Sequence, residues 1–320
     1  MAVYVGDSRI GLDIRDADAN VHFVSHAHSD HTGGVRKASS ILCSDITKDL
    51  IETRIRYEVK AAEKPRGVEM LDSGHMLGSK QLYVEQDSGE SLIYTGDYQM
   101  QRSPVAERIE VRHADTLIID STYPYPNIAF DDREEVMGSI QSYIKKKGEI
   151  GSILFGAYAM GKAQELIRIC NDMGVSPLVD LNIEKMSKVY SKHGISLDYQ
   201  VQDFPNGIGD GTFSNPVWIV SMHLMDRTRN AVSAVGRKVF TAVATGFAKM
   251  RRFNTDVQFA LSDHADFAQA VEYIDLCNPR SIYTCGAGCD TFAKNLKAKG
   301  YNANPINRAS NMSMLLENYV

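Results

Sequence analysis

Two textures of hydrophobic patterning divide the chain. Up to about residue 124, short β-rich runs are broken by turn residues. VYVGDSRIGLDI and NVHFVSHAH predict strands, the second an apolar run that stops at a polar, histidine-rich loop. Residues 44–59 place Ile46, Leu50, Ile51 and Ile55 at helical spacing, with Ser44 or Asp45 as the N-cap. KQLYVEQDSGESLIYTGD predicts a hairpin turning at Asp87, Ser88 and Gly89, and TLIIDSTY a buried strand running into a polar turn. Beyond that, strands and helices alternate. DDREEVMGSIQSYIKKKG begins with acids and ends at a glycine, as a helix should. SILFGAYA, PLVDL and WIVSMH predict strands, with GKAQELIRICNDMG and IEKMSKVYSKHG as the helices between them. SIYT, CGAG and CDTFAKNLKAKG then predict a strand, a turn and a closing helix.

Strand–helix alternation implies a parallel sheet with crossover helices. The pattern predicts an α/β protein in which residues 125–239 form a second module, inserted into a first made of 1–124 and 240–320. No internal repeat or low-complexity tract interrupts it.

Composition narrows the class without naming a function. The 320 residues are 43% hydrophobic and 23% charged, ordinary values for a globular protein. No apolar run approaches the roughly 18 residues a membrane span requires, and the acidic N-terminus predicts neither secretory leader nor anchor. Cys43, Cys170, Cys277, Cys285 and Cys289 show no CxxC spacing, which predicts reduced thiols and a cytoplasmic setting. A net charge of −5 argues against holding nucleic acid by charge alone, although bound cations reverse a local field. The small basic clusters (Lys145, Lys146 and Lys147; Arg237 and Lys238; Lys249, Arg251 and Arg252) are first of all solvated surface.

The chemistry concentrates at residues 26–31, directly after the strand VHFVS. His26, His28, Asp30 and His31 place four imidazole and carboxylate groups within six positions, and three of the nine histidines sit there. On a loop such groups can converge, and they are the ligand types zinc and related metals take. One loop cannot complete a metal pair. The other candidates end apolar strands: Asp13, His75 between two glycines, Asp97 in Thr-Gly-Asp, Asp120 at the end of TLIID, and His264 in SDHAD.

In that order, HxHxDH, GH, GD, DST and a distant SDHAD resemble the metallo-β-lactamase superfamily, and specifically its β-CASP nuclease branch. FGAYAMGKAQEL and TGFAKMRRF resemble the branch's inserted-domain strand and helix and its return strand, so the resemblance covers nearly the whole chain. It implies a metallo-β-lactamase αββα sandwich with an inserted β-CASP α/β domain, binding one or two zinc ions, with manganese or another divalent metal as the alternative. On that basis His26, His28 and His75 would hold the first metal and Asp30 and His31 the second. Asp97 would bridge them, and Asp13 would orient the loop. Asp30, Asp120 and His264 would carry catalysis, with His264, paired to Asp120, protonating the leaving oxygen.

Where RNA-cleaving members end a strand with a metal-ligating histidine, this chain has Thr284-Cys285-Gly286; a DNA-repair group of the branch also lacks that histidine. Cys285 is either a thiolate ligand of the second metal or an inert small residue. The leading expectation is an RNA nuclease, cleaving as an endonuclease or a 5′–3′ exonuclease in RNA processing, whose cleft Lys249, Arg251 and Arg252 would line with phosphate contacts. A DNA exonuclease taking single-stranded DNA, or a catalytically weakened binding or scaffold paralogue, is the alternative, and a small-molecule hydrolase stands behind both. No membrane partner is expected, and a homodimer or processing-complex partner is left open.

Overall fold

The computed structural model describes residues 1–6, 8–13 and 18–306, and the chain divides into two compact units. The first comprises residues 1–102, 106–129 and the segment from His264 onward; the second comprises 103–105 and 130–263.

The first unit opens with β1 (Ala2–Val5) and β2 (Ser8–Leu12), which pair antiparallel across Gly6, so the first apolar run is a hairpin and not one strand. β3 (Val21–Phe23) and β4 (Ile41–Leu42) extend this sheet in the order β1-β2-β3-β4. α1 (Asp45–Ile55) starts where Ser44 Oγ accepts from Thr47 N at 3.0 Å and ends at Arg56, in the left-handed region at φ 51°. β5 (Val68–Asp72), β6 (Lys80–Glu85), β7 (Ser91–Tyr94) and β8 (Thr116–Asp120) follow. β6 and β7 form the expected hairpin, with Gln86 N bonded to Glu90 O at 2.9 Å and Gly89 at φ 86° in the turn.

The second unit carries α2 (Arg133–Gly148), β9 (Ser152–Ala157), α3 (Lys162–Asn171), β10 (Leu178–Val179), α4 (Leu181–Lys192), β11 (Gln200–Val201), β12 (Val217–Ser221), α5 (Met225–Ala234), β13 (Val239–Ala244) and β14 (Val257–Phe259). Its six strands run in the order β11-β10-β12-β9-β13-β14, every pair parallel, as the alternation predicts. The unit extends to Asp263 and does not stop at 239. The reason is register: β13 pairs with β9 from Val239↔Ser152 to Val243↔Gly156, which places the return segment inside this sheet. At the start of α3 lies a quartet of charges, three of them buried and the fourth, Asp263, half-buried. Lys162 Nζ donates to Glu165 Oε2 and Asp263 Oδ1, both at 2.6 Å, and Arg133 donates to Glu165 Oε1 at 2.8 Å and to Asp263 Oδ1 at 3.0 Å.

Back in the first unit, α6 (Phe267–Cys277), β15 (Ser281–Cys285), α7 (Cys289–Ala298) and β16 (Ala303–Pro305) complete a six-stranded sheet ordered β16-β15-β8-β7-β6-β5. Alternation along β8 explains the layering. Ile118 joins Val3, Ile10, Leu12, Phe23 and Leu82 in a core between the two sheets. Leu117 and Ile119 face the other way and pack with Phe267, Tyr273, Ile274, Phe292 and Leu296 of α6 and α7. Each such side chain contributes about 1.5–3 kcal/mol by leaving water. Strand ends and the loops after them are thereby brought to one rim of the sandwich. Among the described residues no helix is long and apolar enough to cross a membrane, and all five cysteines are free.

Candidate metal centre

The loop of residues 26–31 follows β3 without a helix to absorb its polar groups. Its start is pinned by Val24 N to Leu42 O at 2.9 Å and by Lys80 N to Ser25 O at 2.8 Å. His26 is fully buried. Its Nε2 lies 3.0 Å from His28 Nδ1, and that same atom of His28 lies 3.2 Å from His75 Nε2. One ring nitrogen has a single proton or a single lone pair, so His28 Nδ1 cannot satisfy both neighbours by hydrogen bonding. A cation at the centre would use all three lone pairs.

Asp97, after β7, supplies the focus. Its Oδ2 lies 3.5 Å from His26 Nε2, 3.8 Å from His75 Nε2, 3.4 Å from His31 Nε2 and 3.8 Å from His264 Nε2. Four donors held about 2.1 Å from a tetrahedral ion stand about 3.4 Å from one another. His26, His28, His75 and Asp97 therefore have separations suited to a metal, and their ligand atoms all lie within 4.8 Å of one another. Asp97, Asp120 and His264 make a second such group. Asp30 stands apart: its side chain is 77% exposed, with Oδ2 3.7 Å from His31 Nε2.

Asp13 holds the loop from behind. Its Oδ1 accepts from Ser25 N at 2.6 Å, and its Oδ2 accepts from Ser25 Oγ at 2.7 Å and from Tyr94 OH at 2.6 Å, with His31 Nδ1 at 2.7 Å. Asp13 adopts φ 56°, a conformation Asp and Asn tolerate better than most residues. Ser25 and Tyr94 are structural partners that the sequence pattern did not single out. Tyr94 reads as one more apolar strand residue, and only the fold carries its hydroxyl to Asp13. Gln99, equally unmarked, donates from Nε2 to His264 O at 2.9 Å.

The charges oppose one another strongly. Burial, then the neighbouring His31 and His75, drives the His26 pKa well below its ordinary value. Burial acts to raise the Asp97 carboxyl, but His264, His31 and His26 together hold it well below the usual carboxylate range. His31 goes the other way: burial disfavours its charge, yet Asp97 and Asp13 raise it to about 12. Such opposed shifts, in groups this close together, mark a candidate functional site.

Asp120, ending β8, sits 3.1 Å through Oδ2 from His264 Nδ1. Cys285, across from it on β15, directs Sγ to Ile119 O at 3.4 Å. Burial, with Asp120, Asp97 and Asp13 adding to it, pushes that thiol well above its ordinary pKa. Its sulfur belongs to neither metal-capable group among the described residues. Lys249, Arg251 and Arg252 lie in the second unit: Lys249 pairs with Asp131 at 3.0 Å, and Arg251 stacks over Phe247 and Phe253 with centroid distances of 5.5 and 4.7 Å.

No protein-family profile matches the chain. It is 29% identical over 303 residues to a probable DNA ligase of Opitutus terrae, covering 88% of this chain and 28% of that protein. It is 27% identical over 216 residues to the probable RNase MJ4 of Methanocaldococcus jannaschii, and 27% over 200 residues to the 5′ exonuclease Apollo of Gallus gallus. These matches cover 53% and 55% of this chain and 49% and 43% of those relatives, so the chain spans half or less of the length of each of the three. A solved Enterococcus faecalis protein of unknown function shares the fold, with a TM-score of 0.63 at 12% identity over 92% of this chain and 81% of that one. With the motif order, the centre around Asp97 and these relatives in agreement, the chain belongs to the metallo-β-lactamase superfamily, in its β-CASP branch.

Proposed function

We propose that the chain is a metal-dependent nuclease that hydrolyses phosphodiester bonds in DNA. The observation that carries the reading is the meeting, at one carboxylate oxygen of Asp97, of imidazoles from three separate stretches of chain: 26–31, His75 and His264. On this reading His26, His28, His75 and Asp97 hold one zinc ion, and Asp30, His31 and Asp97 a second. Bound there, such ions polarise a phosphoryl oxygen and allow water to ionise at neutral pH. The protein's own groups do the rest. Asp13 fixes the His31 ring so that Nε2 faces the centre. Asp120 accepts from His264 Nδ1, favours the protonated ring and leaves Nε2 to deliver a proton to the departing oxygen. Cys285 keeps its proton and serves as a small, half-buried side chain beside Asp120.

Two observations support DNA over RNA. The first is Cys285 at the position where the RNA-cleaving members carry a histidine. The second is the long match to part of a probable DNA ligase. Hydrolysis that releases the 3′ oxygen leaves a 5′-phosphate and a 3′-hydroxyl, the two ends a ligase joins. RNA is the second reading, favoured by the match to the probable RNase MJ4.

The test is digestion of end-labelled single-stranded DNA and RNA of one sequence by zinc- or manganese-loaded protein. DNA should be cleaved faster, chelator should stop the reaction, and His26→Ala should abolish it. Faster cleavage of RNA would transfer the reading to RNA, and intact strands of both kinds would end it.

A further inference from the structure

One group of basic and aromatic side chains is attached to the metal-centre loop and has no part in the chemistry above. It lies wholly in the first unit. Thr32 closes the turn after His31: its hydroxyl lies 3.1 Å from His28 O and 3.3 Å from Ser29 O. Arg54, near the end of α1, donates to that hydroxyl, which leaves the Thr32 proton directed to the loop carbonyls. Burial lowers the Arg54 pKa, and Asp30 counters it only in part. One residue further along, Ile55 O accepts from Arg36 at 2.7 Å. The Arg36 guanidinium lies over the ring of Tyr57 at 5.8 Å from its centroid, and Tyr57 is 48% exposed. Arg56, exposed, stands between them in sequence at the helix C-cap. The nearest acid on α1, Glu52, is engaged by Lys48 at 2.8 Å and by Val59 N at 2.9 Å, so it does not neutralise the group. Glu58 is exposed beside Tyr57 in sequence and takes away part of the charge.

We infer that Arg54, Arg36 and Tyr57 form a track that holds a single DNA strand against the turn of residues 28–32, with phosphates on the two guanidinium groups and a base stacked on the Arg36–Tyr57 pair. A planar cation lying on an exposed aromatic ring is a platform to which any base can add, and it selects for unpaired strands because paired bases hide their faces. Guanidinium forks suit phosphate oxygens in a way ammonium groups do not. An overall charge of −5 makes such a local track more necessary, since long-range attraction is lacking. The inference rests on the nuclease reading and adds where its substrate lies.

The experiment measures binding of a fluorescein-labelled single-stranded DNA, across a salt series, to zinc-loaded wild type and to Arg36→Ala, Tyr57→Ala and Tyr57→Phe. Tyr57→Ala should weaken binding about tenfold and Tyr57→Phe should restore it. On a fully abasic strand of the same length, Tyr57→Ala should bind as wild type does. Arg36→Ala should reduce the salt dependence by about one phosphate contact. If Tyr57→Ala fails to fold, the wild-type preference for normal over abasic strand and the Tyr57→Phe affinity decide the matter. Wild-type cleavage of DNA with unchanged affinity in every variant would overturn the track alone. A wild type that neither binds nor cleaves either nucleic acid would overturn the nuclease reading and the track with it.

Discussion

Replacing Asp13 by Asn tests how the loop is held, because Asn matches Asp in size and also tolerates φ 56°. Only the charge and one acceptor change. Asp13 accepts from Ser25 N and Oγ and from Tyr94 OH, and it faces His31 Nδ1, all at 2.6–2.7 Å. Hydrogen bonds to a charged group contribute about 1.5–3 kcal/mol each and do not add fully, so the variant should lose roughly 3 kcal/mol of stability at pH 7. The pH dependence carries a sharper signature. In the metal-free fold, Asp97 and Asp13 outweigh burial and raise His31 from 6.5 to about 12. Above pH 6.5 the folded chain keeps this proton and the unfolded chain releases it. The stabilisation is therefore complete below that pH and declines by about 1.4 kcal/mol per unit as pH rises towards the folded value. Asn leaves Asp97 to raise His31 alone, so the decline should end at a lower pH. Urea unfolding of chelator-treated wild type and Asp13→Asn from pH 6 to pH 10 measures both effects. The variant should start lower and flatten first, and its zinc affinity should fall about 10- to 100-fold. Parallel curves of equal height would refute the claim that Asp13 carries the loop.

Four further outcomes are expected. Asp97→Asn should lower bound zinc, by elemental analysis, and reduce cleavage by more than the roughly 100-fold that loss of a ligand's supporting hydrogen bond costs; full metal content would remove Asp97 from the centre. Cys285→His should raise zinc per chain, measured after dialysis against a weak chelator, whereas an unchanged ratio would show that no ligand is wanted at that strand end. Lys162→Met removes one of the two cations that buried Glu165 and half-buried Asp263 share, leaving Arg133 in place, and should cost about 3–5 kcal/mol in urea unfolding, an effect absent if the quartet is well solvated. Arg251→Ala with Arg252→Ala should weaken DNA binding and flatten its salt slope; an identical slope would return both residues to ordinary surface.

Much of the site is legible in the sequence because its chemistry is locally dense. No secondary structure has a use for three imidazoles and a carboxylate in six positions, so His26, His28, Asp30 and His31 mark a candidate ligand set before any fold is known; the structure gathers His26 and His28 with His75 and Asp97 and leaves Asp30 exposed. The caps and turns are legible for a similar reason: Ser44 bonds Thr47 N, and Gly89 takes a left-handed turn, through forces acting within a few residues. The partners of Asp13 were not legible, since Tyr94 carries the same apolar signal as any buried strand residue. Nor did Thr32 and Arg54 declare themselves, being a common turn residue and a common helix residue.

Local pattern determined the element types, the hairpin at residues 80–97, the parallel character of the middle segment and the density of imidazole and carboxylate groups in the first loop. Tertiary structure alone decided which sheet received β13, and so moved the end of the second unit to Asp263. It alone brought His75 and His264, distant in sequence, to 3.8 Å from one oxygen of Asp97. The physical reason is that hydrophobic periodicity reports how deeply each residue is buried, which neighbours along the chain settle. It does not report which strand lies alongside, because that depends on the packing of whole layers against one another.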